Sequence, residues 1–249
     1  MQETFLSHLI ELRSRLVRAV GTVLAVFALL SFWAGDIYDL LAQPMLQTLP
    51  AGTRMIATGV VTPFFVPIKV TLMVAFVVCL PMVLYQAWAF VAPGLYAHEK
   101  RLALPLVLGS TVLFLLGMAF CYFIVFGWVF KFIAEFAPQS INLAPDIEEY
   151  LSFVMTMFLA FGLTFEVPVI VVLLTRIGVV DIEALKKGRP YVVVGAFVVA
   201  AVITPPDVIS QFMLALPMWL LYELGIVIAR AVTPQQRRDA VVPGTSDDA

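Results

Sequence analysis

Long runs without charge organise this chain. Residues 19–35, 70–97 and 102–130 each lack Asp, Glu, Lys and Arg, and a helix rising ~1.5 Å per residue needs about 20 apolar residues to cross a hydrocarbon core. These runs predict three transmembrane helices. A fourth covers 150–175 and is interrupted only by Glu166. Two shorter runs follow, 190–206 and 208–222, the second continuing past Glu223 to Arg230. Between them stands Thr204-Pro205-Pro206-Asp207, where consecutive prolines stop one helix and Asp207 is placed to cap the next. The pattern predicts an all-α polytopic membrane protein with six transmembrane helices in one domain over 1–230. The polar tail 231–249 reads as disordered.

The spans are unequal. From Tyr191 to Ile203 the fifth offers only about 20 Å of helix against a ~30 Å hydrocarbon core. Spans five and six are therefore expected to form a thin wall where partners assemble. Ahead of span one, residues 5–18 are amphipathic, with Phe5, Leu9, Leu12 and Leu16 on one stripe and Glu11, Arg15 and Arg18 opposite. That segment is expected to lie at the headgroup boundary before the chain turns into the bilayer. The outer loops 36–66 and 132–149 carry prolines among apolar residues and are expected to be ordered, and Asp146 with Glu149 resembles a capping box opening span four.

Charge adds an orientation. Six crossings put both termini on one side, and twelve of the 15 Lys and Arg residues fall there, leaving only Arg54, Lys69 and Lys131 opposite. Cationic residues are retained in short cytoplasmic loops, so both termini are expected in the cytoplasm. Composition agrees: 62% of residues are apolar and 13% charged, against about 45–50% and about 25% in soluble domains. The first apolar run has no short h-region followed by a cleavage site, so span one is expected to be retained. Cys79 and Cys121 fall at different depths of their helices, and no disulfide is expected between them.

Enzyme readings find few parts. His8 and His98 are the only histidines and both fall on the cytoplasmic side. Neither an H-E-x-x-H zinc motif nor a phosphate-binding loop is present. No catalytic residue, metal, cofactor or nucleic-acid partner is expected. The carboxylates are more informative. Glu166 falls near mid-membrane, where a charge costs at least ~2.5 kcal/mol, and Pro168 just after it weakens the backbone ladder. It is either a neutral group hydrogen-bonded to a neighbouring helix or a polar, proton-sensitive contact for a substrate or partner. Glu223, two turns before Arg230, is close enough to the cytoplasmic end to snorkel. Glu11 and Glu99 are carboxylates among cations. Spacing favours local ion pairs worth only ~0.3–0.5 kcal/mol. The alternative is a pair of acceptors for a ligand carrying two guanidinium groups, whose planar forks bind carboxylates bidentately.

The segments His-Leu-Ile-Glu-Leu-Arg-Ser-Arg-Leu at 8–16, Thr-Pro-Phe-Phe-Val-Pro-Ile-Lys at 62–69 and Phe-Val-Ala-Pro-Gly-Leu-Tyr-Ala-His-Glu-Lys-Arg at 90–101 resemble the TatC family, the receptor subunit of the twin-arginine protein translocase. Leu-Ser-Phe-Val at 151–154, Phe-Glu-Val-Pro at 165–168, Arg-Pro-Tyr at 189–191 and Thr-Pro-Pro-Asp at 204–207 extend the match. The resemblance implies that Glu11 and Glu99 hold the twin-arginine motif of a signal peptide, with Leu12, Arg13, Phe90 and Tyr96 shaping the site. It implies that Glu166 faces a concave surface, that Gln211 belongs to a polar partner site, and that Pro44 belongs to the outer cap. It further implies TatA and TatB as partners, self-association in a larger complex, a prokaryotic inner membrane, and export of folded proteins on the proton-motive force. Six helices of ~10–12 Å diameter are too few to enclose a pore for a folded domain, which itself calls for partners. The competing reading is a proton-coupled secondary transporter of a small solute using Glu166 and Glu223, which ordinarily shows the repeat symmetry absent here.

Overall fold

The structure is a computed structural model describing residues 2–46, 55–91, 100–136, 145–204 and 208–232. Its regular structure among these residues is helical, apart from an isolated parallel bridge between Ile56 and Asp146, and residues 57–61 and 177–181 are turns, bends and irregular chain. The helices are α1 (Gln2–Leu30), α2 (Ala34–Leu46), α3 (Thr62–Val78), α4 (Leu80–Val91), α5 (Lys100–Phe120), α6 (Phe126–Phe136), α7 (Ile147–Phe165), α8 (Val167–Arg176), α9 (Ile182–Ile203) and α10 (Val208–Val232). A 3-10 turn, Ser31–Trp33, joins α1 to α2, and a π turn, Cys121–Val125, joins α5 to α6.

Four stretches are long and apolar enough to cross a membrane: Leu9–Gln43, Leu104–Phe132, Ile147–Arg176 and Val208–Val232. The second expected span makes a fifth if α3 and α4 count as one crossing. It is not one straight helix, because the chain bends by 62° between them at Cys79. The cause is in the sequence: Pro81 has no backbone N–H and disfavours helical dihedrals at the residue before it, so the ladder cannot run through. The expected fifth span lies on α9, where Lys186, Lys187 and Arg189 share the helix with the short apolar stretch that follows Pro190.

Two further boundaries differ from the hydropathy pattern. The amphipathic segment does not turn before span one: α1 runs unbroken from Gln2 to Leu30, so Glu11 and Arg15 stand on the same rod as the apolar run. No proline interrupts it, and Gly21, the one weak helix former, has open space around it. The first outer loop also starts later than expected, since α2 continues to Leu46 and takes Pro44 into its last turn. Pro44 offers no N–H to the Leu40 carbonyl four residues back. The Tyr122 hydroxyl donates to that carbonyl instead at 3.4 Å, and the buried Tyr150 hydroxyl donates to the Leu41 carbonyl at 3.1 Å.

The core forms around α7, with α3, α5 and α10 packed against it. Val66 and Val70 of α3, Phe126 of α6, Met157 and Phe161 of α7 and Leu214 of α10 are all buried there. Glycines permit the closest approaches. A Cβ on Gly117 would lie 3.0 Å from a Phe165 ring carbon, and one on Gly162 would run into the Phe114 ring. A Cβ on Gly225 of α10 would lie 3.0 Å from the Pro168 Cα on α8. In lipid, where apolar surface gains little by leaving its solvent, such close packing supplies much of the drive for association.

Candidate functional site

The first candidate residues lie where α1 packs on α4. Glu11 Oε1 accepts from Arg15 Nε at 2.9 Å, one helical turn on, and Arg15 Nη1 reaches the Gln86 Oε1 of α4 at 3.4 Å. The local ion pair that spacing favoured is therefore formed. The Glu11 side chain nevertheless keeps 40% of its surface exposed, as do the neighbouring Leu12 and Arg13. Phe90 is half-buried one turn beyond Gln86, at the end of α4. Tyr96 and Glu99 lie outside the described residues. Gln86 was not singled out from the sequence; an amide one turn before Phe90 in a charge-free span was the signal available.

The second candidate is Glu166, only 3% exposed. It is the single residue between α7 and α8, where Pro168 withholds an N–H from the Thr164 carbonyl. Neither carboxyl oxygen has a hydrogen-bond partner among the described residues. The nearest polar influence is the Ser110 hydroxyl of α5, which itself accepts from Trp88 Nε1 of α4 at 2.9 Å. A buried polar group without a partner costs about 1–3 kcal/mol, and the Ser110 hydroxyl is the polar group placed to relieve that cost.

The sequence pattern set Glu223 near Arg230, but the structure pairs it with Arg189 across α9 and α10, Nη2 to Oε2 at 2.6 Å. Two helical turns along one helix place two side chains on one face, yet a neighbouring helix comes closer. Tyr222 adds a second tie, its hydroxyl donating to the Leu185 carbonyl at 2.8 Å. Gln211, near the start of α10, donates from Nε2 to the Phe197 carbonyl of α9 at 3.2 Å. Glu223→Gln is expected to lower thermal stability by about 0.2–1 kcal/mol, as for half-exposed pairs. A double exchange, Arg189→Glu with Glu223→Arg, recovers it in a detergent melting assay.

At the other end of α7, Asp146 caps the helix and holds the preceding loop. Its Oδ1 accepts from the Glu148 amide at 2.7 Å, while Oδ2 accepts from the Thr58 amide at 2.9 Å and its hydroxyl at 2.6 Å. Glu148 in turn accepts from Thr62 Oγ1 at 3.0 Å and Lys69 Nζ at 2.7 Å. The expected helix cap is present, and it doubles as a loop anchor. The Thr58 hydroxyl bond, first, and then the Thr58 amide hold the Asp146 carboxyl down to about 2 from an ordinary 3.8. A carboxylate whose folded pKa is depressed stabilises fully above its unfolded value and loses that contribution as pH falls through the folded one. Protection of the Thr58 amide, its exchange measured against the intrinsic rate at each pH, is therefore expected to be full above pH ~4 and to be lost as pH falls from ~4 to ~2; Asp146→Asn removes the transition.

A family model described as TatC, Sec-independent protein translocase protein, matches residues 7–217. The curated TatC protein of Azotobacter chroococcum is 50% identical over 241 residues, 97% of this chain and 92% of that one. That of Escherichia coli K12 is 51% identical over 228 residues, covering 92% and 88%. A solved structure titled as the twin arginine translocase receptor TatC superposes with a TM-score of 0.80 at 38% identity, covering 91% of this chain and all of that one.

Proposed function

The chain belongs to the TatC family of Sec-independent protein translocase proteins, and from that premise we propose that it is the membrane receptor for twin-arginine signal peptides. The family is one of protein transport, and the helices are those of a membrane protein. The observation that carries the proposal is Glu11, a carboxylate already bound to one guanidinium yet 40% exposed, on a helix packed beside the end of α4 that bears Phe90. An incoming arginine can exchange with Arg15 at an acceptor whose geometry is set, which limits the ordering cost of binding. Glu99 supplies the second acceptor, with Leu12, Arg13, Phe90 and Tyr96 around the pair.

In this reading α9 completes six crossings as a short span, both termini are cytoplasmic, and the membrane is the inner membrane of a prokaryote. TatA and TatB assemble near Gln211 and Glu166, several copies join in one complex, and the proton-motive force drives export of folded cargo. The test is binding of a fluorescent twin-arginine peptide to the purified protein in nanodiscs. Loss of a hydrogen bond to a charged group costs about 1.5–3 kcal/mol, so Glu11→Ala and Glu99→Ala are each expected to weaken binding roughly tenfold to a hundredfold. Unchanged affinity in both variants, with the fold intact, overturns the proposal.

A further inference from the structure

We propose that the groove between α5 and α8 is a binding site for one anionic phospholipid, its phosphate on Arg176 and an acyl chain along the cleft. The groove has a volume of about 280 Å³. Its walls are Pro105, Gly109 and Leu113 on α5 and Val169 and Val172 on α8, with Arg176 closing one end. From Pro105 to Leu113 it extends ~12 Å along the helix. Its floor is firm, because Trp88, Val107 and Leu173 form a buried cluster that draws in Leu106 and Val169.

The break at Glu166 explains why the cleft exists. Helix α5 packs closely along α7 but only lightly against α8. Gly109 faces the gap, and a Cβ placed on it would meet nothing within 4 Å. By contrast Gly117 and Gly162, on the α7 side of the break, have no such room.

The occupant follows from two properties. The walls are apolar, so in a membrane an acyl chain fills the cleft at no cost in polar desolvation. Arg176 is exposed, in the last turn of α8, and forms no ion pair among the described residues. Its guanidinium fork matches a phosphate bidentately. A headgroup alone gives no account of the apolar cleft, and an apolar peptide gives none of the cation at its mouth. The site needs only a membrane-embedded chain and stands whether or not the peptide-receptor reading does.

Native mass spectrometry of the purified protein with chain-matched phosphatidylglycerol or phosphatidylcholine tests this. One phosphatidylglycerol is expected to be retained about fivefold more strongly than phosphatidylcholine. Arg176→Gln removes that preference. Gly109→Phe fills the cleft and lowers retention of both lipids roughly tenfold. Glycerol 3-phosphate, a headgroup without chains, does not compete. A photocrosslinking side chain in place of Leu113, on the groove wall, yields an adduct of phospholipid mass. Retention unchanged by Gly109→Phe, a preference surviving Arg176→Gln, competition by glycerol 3-phosphate, or a crosslink to peptide or to a second copy each overturns the site.

Discussion

Gly162→Leu is expected to separate α5 from α7 and to destabilise the bundle by about 3 kcal/mol or more, above most single core substitutions. Its first added carbon already runs into the Phe114 ring, and Phe114 is itself buried. The ring has no exposed direction in which to move, so backbone must shift. Overpacking forces side chains off their rotamers and helices apart. Here the displaced helices carry Ser110 and Glu166, so damage reaches the membrane-buried polar cluster as well. Thermal melting in detergent checks this, with Gly127→Leu as the control that costs little, because a Cβ there meets nothing within 4 Å. Equal melting of the two variants contradicts the packing account.

Glu166 is expected to give the sharpest difference between substitutions at one position. Glu166→Gln keeps a polar, uncharged end of the same length beside Ser110 and retains most export of a twin-arginine reporter. Glu166→Lys forces a cation into a site that is 3% exposed and without an anionic partner among the described residues. On the lenient insertion scale this costs ~2.5–3.5 kcal/mol, enough to reduce both the protein level in the membrane and export. Glu166→Ala is intermediate: the backbone break persists, since Pro168 causes it, but the polar group is gone. Export measured alongside membrane abundance separates folding from function. Gln as damaging as Ala would show that the acid itself is required.

The proposed peptide site is only partly legible in the sequence. The guanidinium-acceptor reading of Glu11 and Glu99 competed with local ion pairing, and the family resemblance rather than spacing favoured the former. The structure contains the pair with Arg15 and leaves the carboxylate accessible, so under the proposed function the two readings describe one group in its empty and occupied forms. Gln86 went unnoticed because its role depends on α1 lying against α4, which no local pattern encodes.

The sequence alone marked the long apolar helices, of which four, or five with the bent pair, are long and apolar enough to cross a membrane. Partition between water and hydrocarbon is a sum over neighbouring side chains, so charge-free runs reveal apolar helices without any knowledge of their partners. It also marked the Asp146 cap, which is local, and the family, which is a matter of residue identity. Tertiary structure decided the rest. Glu223 chose Arg189 over Arg230 because a neighbouring helix approaches more closely than the next turns of its own. Pro44 was accommodated in α2 because Tyr122, distant in sequence, supplies the missing donor to Leu40. The cleft at Gly109 opened because Gly117 and Gly162 draw α5 to α7 while the break at Glu166 frees α8 from that contact. Each depends on two helices meeting in one register, which pairwise packing fixes and hydropathy does not.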